Sequence, residues 1–130
     1  MEKKILNQQS QHWEKNFSSK PEMFGNEPSV AAVKSLNFFK GKKIVELGAG
    51  LGRDTIFFAQ NSIQVEALDY SQKAIEIINN KSKKLNLTHF IKTKTLIILE
   101  LMTLAWPFIH KFRFSFFSVV FFKNKLHCYR

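Results

Sequence analysis

The chain has 130 residues, a length typical of one domain, and its five glycines and three prolines are too few for a collagen-like repeat. Hydrophobic residues make up 45% of it, which excludes a disordered chain, and the single cysteine, Cys128, excludes a disulfide framework or a cysteine zinc site. The first ten residues contain no apolar run that could serve as a signal peptide, so we expect an intracellular, cytoplasmic protein.

Charge divides the chain into two parts. Residues 1–90 contain 13 basic and 9 acidic side chains, whereas residues 91–130 contain seven basic side chains and one acidic side chain, Glu100. The second part also contains seven of the 14 phenylalanines and no glycine. We therefore expect a folded domain over residues 1–95 and an atypical, Phe-rich basic tail over residues 96–130.

The N-terminal part of the chain predicts two helices joined by a loop. Residues 5–17 have the spacing of a short helix, whereas residues 18–28 contain two prolines and a glycine, which are typical of a loop. Ser29 is a suitable N-cap for a second helix that continues to about Phe39, and Gly41 supplies its C-terminal stop.

The middle of the chain alternates between strand and helix patterns. The predicted elements are a strand at 42–47, a helix at 53–60, a strand at 63–69, a helix at 72–84 that Ser71 caps, and a strand at 88–99. This order is typical of a parallel sheet with helices packed on it. We therefore predict an α/β, Rossmann-like parallel sheet with flanking helices.

Two apolar stretches follow, at residues 95–109 and 112–122. Neither reaches the roughly 20 uninterrupted apolar residues of a membrane-spanning helix, because Glu100 interrupts the first and Arg113 the second. We therefore expect no membrane span. The stretches are consistent with two further strands, or with a tail that is not evolved globular sequence.

A glycine-rich turn carries the strongest functional signal. The sequence Gly48-Ala49-Gly50-Leu51-Gly52 follows a buried strand and precedes a helix, an arrangement expected to leave backbone N–H groups facing outward beside the positive end of the helix. Asp69 follows 21 residues after Gly48, at the end of the next strand, where a carboxylate can accept hydrogen bonds from ribose hydroxyls. The pattern indicates a ligand related to a nucleoside.

The spacing of the glycines argues against a dinucleotide. The dinucleotide fingerprint G-x-G-x-x-G requires glycine at position 53, where this chain has Arg53. The observed spacing is G-x-G-x-G, and Glu46 precedes it. An acidic residue at the strand end suits a cationic ligand better than a pyrophosphate.

The segments VELGAGLGRD (residues 45–54) and VEALDYS (residues 65–71) resemble the first two motifs of class I S-adenosylmethionine-dependent methyltransferases. The resemblance covers residues 12–95, and it implies S-adenosylmethionine as the cofactor and a small-molecule acceptor. It also implies a seven-stranded fold, relative to which this chain is incomplete. The implied reaction is an in-line displacement at the methyl group, which depends mainly on positioning.

The resemblance implies specific roles in the glycine turn. Gly48, Gly50 and Gly52 would form the loop beneath the amino-acid part of the cofactor, and Ala49 would add backbone contacts. Glu46 would lie near the methionine moiety or a bound water.

The resemblance also assigns roles outside the turn. Asp69 would accept hydrogen bonds from both ribose hydroxyls, and Tyr70 would pack near the adenine. Asp54 is expected to stabilise the start of its helix or to contact ligand. Trp13 and Phe24 are expected to border the cofactor or substrate, or to belong to the core.

Several features of the family pattern are missing. The residue that should reach the adenine amino group would lie at 95–99, where Ile97 or Ile98 stands, with Glu100 as a weak substitute. No catalytic residue is identifiable. Three explanations stay open: a tail translated out of frame, a cofactor-binding module that completes its sheet with a partner, or a complete small fold. The alternative to a methyltransferase is therefore a catalytically inactive S-adenosylmethionine-binding module or a truncated remnant.

Other partners are not predicted. The lysines of residues 1–90 are scattered, so we do not expect a nucleic-acid substrate. The four histidines lack the spacing of a zinc site, so we expect no metal. The oligomeric state is not predictable from the sequence.

Overall fold

The computed structural model describes residues 2–20, 23–95 and 119–122. In these ranges the chain forms helices and strands in the order α1 (Glu2–Ser19), α2 (Val30–Phe39), β1 (Lys43–Leu47), α3 (Arg53–Gln60), β2 (Gln64–Asp69), α4 (Gln72–Lys84), β3 (Ile91–Thr95) and β4 (Val119–Phe122).

The strands form one sheet in the order β3-β2-β1-β4. β1, β2 and β3 are mutually parallel, with Ile44 beside Val65 and Val65 beside Ile91. The predicted Rossmann-like parallel sheet is therefore confirmed for these three strands. β4 lies within the second apolar stretch of the tail and pairs antiparallel with β1, with Ile44 beside Phe122. The boundary at residue 95 stays a prediction, because the remainder of the tail lies outside the described residues.

Within the described residues, the predicted element boundaries agree with the structure to within one residue, except at both ends of α1 and at the start of the third strand. α1 runs from Glu2 to Ser19 instead of from residue 5 to residue 17, and in its last turn the hydroxyl groups of Ser18 and Ser19 donate to the carbonyl groups of Glu14 and Asn16. The third strand begins at Ile91 instead of residue 88, because a turn precedes it in which two backbone N–H groups donate to the Leu87 carbonyl.

Helices α2, α3 and α4 pack on one face of the sheet. Ile44, Val65 and Ile91 are neighbours in the strand register, and all three are buried on this face. Phe39 of α2 meets Phe58 of α3 edge to face at 5.3 Å, and each ring is 1% exposed. The hydrophobic core therefore lies between this face and the three helices.

Both predicted serine N-caps are confirmed. Ser29 Oγ accepts a hydrogen bond from the Ala32 N–H, and Ser71 Oγ accepts one from the Ala74 N–H, each at 3.1 Å. Each cap satisfies a backbone donor that the first turn of a helix cannot satisfy itself.

Asp54 joins the starts of two helices. Its Oδ1 accepts a hydrogen bond from the Ser29 N–H at 2.8 Å, and its Oδ2 accepts one from the Ser29 hydroxyl at 2.7 Å. Asp54 lies in the first turn of α3, where a negative charge interacts favourably with the helix dipole. The side chain therefore stabilises α3 and holds the start of α2 against it, rather than extending toward solvent.

We expect Asp54→Ala to lower the free energy of unfolding by about 1–3 kcal/mol, because the N–H and hydroxyl groups of Ser29 would lose their acceptor. Glu76→Ala is the matched control, since Glu76 is an exposed carboxylate on α4 that pairs with Lys73. Urea denaturation followed by circular dichroism measures both. Equal losses in the two variants would contradict the assigned role.

Candidate functional site

The glycine turn folds onto the end of β2. The N–H groups of Gly48 and Ala49 donate to the Leu68 carbonyl at 2.8 and 3.1 Å, and the Gly50 N–H donates to Asp69 Oδ2 at 2.8 Å. The expectation that these N–H groups face outward is therefore wrong. Because parallel strands end at the same edge of a sheet, the last residues of β2 lie within reach of the turn and accept its donors.

The three glycines have different surroundings. All have positive φ, and at Gly48 (φ 70°) no heavy atom lies within 4 Å of where a Cβ would stand. At Gly50 the nearest atom would be Cζ of Phe17, at 3.9 Å, and at Gly52 it would be Cγ1 of Ile78, at only 2.6 Å. Gly48 thus borders open space that a ligand can enter, whereas Gly52 permits α3 to pack against α4.

Ala49 is mainly a core residue. Its side chain is 7% exposed and packs with Ala59, Ala67, Ile78 and Ile91. Its N–H donates to Leu68, as described above, and its carbonyl accepts the Gly52 N–H at 2.9 Å. The backbone contact to a ligand that the resemblance implied for Ala49 stays a prediction.

Asp69 is a buried carboxylate at the carboxyl end of β2. It is 4% exposed, and its Oδ1 accepts a hydrogen bond from the Ser71 N–H at 2.9 Å while its Oδ2 accepts the Gly50 donor. Burial raises the pKa of Asp69 above its ordinary value, although the N–H groups of Ser71, Gly50 and Tyr70 oppose that shift. Each carboxylate oxygen has two lone pairs, so Asp69 can accept further hydrogen bonds from a ligand.

Tyr70 lies next to Asp69 and is half-buried. Burial raises the pKa of its phenol to about 12, and the carboxylates of Asp69 and Glu14 act in the same direction. The ring is therefore neutral at physiological pH. Its packing against an adenine stays a prediction.

Helix α1 covers one side of the turn. Phe17 is buried against Leu51 and Ala74, and Trp13 packs against Phe17 and Phe24 with ring centroids 5.4 and 6.4 Å apart. Trp13 and Phe24, both predicted near the site, thus belong to an aromatic cluster at its border. Phe17 joins that cluster, and the Trp13–Phe17 spacing of four residues is the sequence signal for it.

Glu14 is a residue that the sequence analysis did not identify. Its Oε1 accepts a hydrogen bond from the Lys73 N–H at 3.3 Å, at the start of α4. This contact fastens α1 beside Asp69 and Tyr70. The sequence of α1 does not predict this position, because a single glutamate in a polar helix segment usually lies in solvent.

Glu46 lies beneath α3 instead of at the surface of the turn. It is 1% exposed, on the same face of β1 as Ile44, and the Thr55 hydroxyl donates to its Oε2 at 2.6 Å. Burial raises the pKa of Glu46 to about 8, partly offset by the Thr55 hydrogen bond. The observed contact therefore links β1 to α3. Contact between Glu46 and a ligand stays a prediction.

The remaining expectations concern metals, membranes and the adenine contact. Within the described ranges no group of three or more His, Cys, Asp or Glu side chains could hold a metal ion. None of the helices described is both long and apolar enough to cross a bilayer. Ile97, Ile98 and Glu100, considered for the adenine contact, lie outside the described residues.

A known protein family matches most of the chain. The family described as "Tellurite resistance protein TehB" matches residues 10–127, which is most of the chain. The match continues beyond residue 95 into the Phe-rich tail. No curated protein sequence matches the chain.

Solved structures share the fold. TehB from Haemophilus influenzae has a TM-score of 0.54 and 23% identity, with 69% of this chain and 30% of that chain covered. A structure described as "Conversion of a Disulfide Bond into a Thioacetal Group during Echinomycin Biosynthesis" has a TM-score of 0.51 and 23% identity, with 59% and 33% covered. Likeness at this identity concerns the fold alone. The chain spans about a third or less of the length of these structures.

The surroundings of the glycines predict different costs of substitution. Gly48→Ala should lower the free energy of unfolding by about 1–2 kcal/mol, the cost of a side chain at positive φ. Gly52→Ala should cost a further 1–3 kcal/mol or so, because the new Cβ would collide with buried Ile78. Urea denaturation of both variants tests the assignment, and equal costs would show that Gly52 has no packing role.

The raised pKa of Glu46 predicts that the stability of the protein depends on pH. The unfolded chain loses the Glu46 proton near pH 4.5, whereas the folded protein retains it to about pH 8. The free energy of unfolding should therefore fall as the pH rises through this window, and it should fall less steeply in Glu46→Gln. Glu66→Gln, which removes an exposed carboxylate of β2, is the control and should keep the wild-type slope. Denaturation at several pH values measures the slopes, and identical slopes in wild type and Glu46→Gln would contradict the prediction.

Proposed function

Because the chain belongs to the TehB family, we propose that it binds S-adenosylmethionine at the carboxyl edge of its sheet and takes part in methyl transfer to a small molecule. The observation that carries this proposal is the buried carboxylate of Asp69, which lies at the tip of β2 and contacts the glycine turn through Gly50. The family match and the Rossmann-like fold support S-adenosylmethionine as the ligand.

The residues present fit such a cofactor. Ribose hydroxyls are hydrogen-bond donors, and Asp69 is an acceptor with lone pairs in excess of its two backbone partners. The open space at Gly48 allows a ligand to approach the main chain closely. The carboxylates of Asp69 and Glu14 complement a positive charge.

The chain's own residues position the ligand. Asp69 would orient the ribose, and the hydrogen bonds from Gly48 and Gly50 to the end of β2 keep the turn in place. Bound S-adenosylmethionine supplies an activated methyl group on a positively charged sulfur. Because positioning contributes much of the catalysis in such a transfer, the proposal requires no dedicated base.

The proposed methyl acceptor is a small molecule. The family description concerns tellurite resistance, so tellurite is the first acceptor to test. The predicted cytoplasmic location stays a prediction. The alternative function is a module that binds S-adenosylmethionine without turnover, or a remnant that needs a partner.

Calorimetry with S-adenosylhomocysteine tests the site. Wild type should bind it, and Asp69→Ala should weaken binding at least about tenfold, because it removes a charged acceptor of two ribose hydrogen bonds. Glu66→Ala should bind like wild type, since Glu66 is an exposed carboxylate on the same strand. Thermal denaturation of each variant separates a loss of binding from a loss of folding.

The outcomes distinguish the alternatives. Binding together with the release of S-adenosylhomocysteine from S-adenosylmethionine and tellurite would support the methyltransferase. Binding without transfer to any acceptor would support the inactive or partner-dependent module. No binding by folded wild type would refute both.

A further inference from the structure

A cleft of about 370 Å³ lies between α3 and α4, beside the segment 26–28. α3 contributes positions 53, 56, 57 and 60 to its lining, α4 contributes positions 81 and 84, and Leu85 follows directly after α4. These spacings place one face of each helix along the cleft. Gly52, the last residue of the glycine turn, lines the cleft, whereas Glu46, Gly48, Gly50 and Asp69 do not. The cleft therefore adjoins the proposed cofactor site but does not include its carboxylate, Asp69.

The charges in this cleft are of one sign. Arg53 enters it from α3, and Lys81 and Lys84 enter it from α4. Among the described lining residues none is acidic. Arg53 pairs with Asp54 at 3.2 Å, so the net positive charge of the cleft comes mainly from Lys81 and Lys84. Cations grouped on a concave surface attract anions more strongly than the same charges on an open surface.

Two of the three cations are held in place. Lys81 Nζ donates to the Leu51 carbonyl at 3.2 Å. Arg53 Nε donates to Asp54 Oδ1 at 3.2 Å, and its Nη1 donates to the Phe24 carbonyl at 3.3 Å. These contacts engage one of the three N–H groups of the ammonium and two of the five of the guanidinium. A ligand would therefore meet donors that are already ordered, which lowers the entropic cost of binding.

The helix dipole does not explain this arrangement. Lys81, Lys83 and Lys84 all lie in the last turn of α4, where cations are generally favourable. Only Lys81 and Lys84 line the cleft, however, and there they meet Arg53 from the start of a different helix. Lys83 shares their position on the helix but is not part of the lining.

Apolar side chains form part of the same cleft. Ile56 and Phe57 line it from α3, and Leu85, which is 44% exposed, lines it from the end of α4. A ligand that matches both surfaces has an anionic group for the cations and an apolar or aromatic body for these side chains. Phosphate suits the anionic part because arginine and lysine together provide several N–H donors to its oxygens.

We propose that the cleft between α3 and α4 is a second ligand site, for a small molecule with a phosphate group and an apolar or aromatic body. Its recognition depends on Arg53, Lys81 and Lys84 for the phosphate and on Ile56, Phe57 and Leu85 for the body.

Titration of the full chain with three probes at constant ionic strength tests the proposal. The probes are phenyl phosphate, inorganic phosphate and benzyl alcohol, and backbone amide chemical shifts report where each binds. Phenyl phosphate should bind more tightly than inorganic phosphate, benzyl alcohol should not bind measurably, and the shifts should centre on residues 53–60 and 81–85.

Single-charge variants locate the site. Lys84→Gln and Lys81→Gln should weaken phenyl phosphate binding by about fivefold or more, because each removes a charged donor. Lys83→Gln is the matched control and should change the affinity less than about twofold, since it removes the same charge from the same helical turn outside the cleft. S-adenosylhomocysteine binding should be unchanged in Lys84→Gln, so a failure of this site is distinguishable from a failure of the proposed function.

Three outcomes would overturn the proposal. One is an absence of phenyl phosphate binding by folded wild type. Another is equal weakening in Lys83→Gln and Lys84→Gln, which would indicate attraction by overall charge. The third is much tighter binding of a single-stranded polyuridine than of phenyl phosphate, which would identify the surface as a nucleic-acid contact.

Discussion

The arrangement of the proposed cofactor site depends on two hydrogen bonds that the carboxylate of Asp69 accepts from the backbone. One oxygen accepts the Gly50 N–H and the other accepts the Ser71 N–H, so a single side chain joins the glycine turn, the end of β2 and the start of α4. Burial makes these hydrogen bonds more important for stability, because a buried charge without hydrogen-bond partners would raise the free energy of the folded state. A carboxylate already fixed by two backbone donors can receive a ligand with little further loss of freedom.

Two other acidic residues fasten the layers around this centre. Glu46 receives the Thr55 hydroxyl beneath α3, and Asp54 receives both donors of Ser29 at the start of α2. Both contacts join elements of the fold to one another. Asp69 is the acidic residue for which we propose direct contact with the cofactor, and contact between Glu46 and a ligand stays a prediction.

Two faces of helix α3 have separate roles. One packs on the sheet through Phe58 and Ala59, which are each 1% exposed. The other lines the cleft beside α4, where Arg53 is held by the carbonyl of Phe24. Phe24 also packs on Trp13, so the loop between α1 and α2 contacts both the cleft and the aromatic cluster at the cofactor site. A ligand in the cleft would therefore act on a segment that borders the cofactor site.

Local patterns were sufficient to predict the helices from Arg53 to Gln60 and from Gln72 to Lys84, the serine N-caps and the position of Asp69, because periodicity, capping and strand ends depend on neighbouring residues. Only the tertiary structure identified the partners of the acidic side chains. Asp54 meets Ser29 across 25 residues of chain, and Gly50 meets Asp69 across 19. The Asp54–Ser29 contact depends on how α2 packs against α3, which no pattern along the chain predicts. The spacing between Gly48 and Asp69 predicts that the turn and the carboxylate lie at one edge of the sheet, but it does not predict which atoms bond to each other. The same reason explains why the N–H groups of the glycine turn, expected to face a ligand, instead bond to β2.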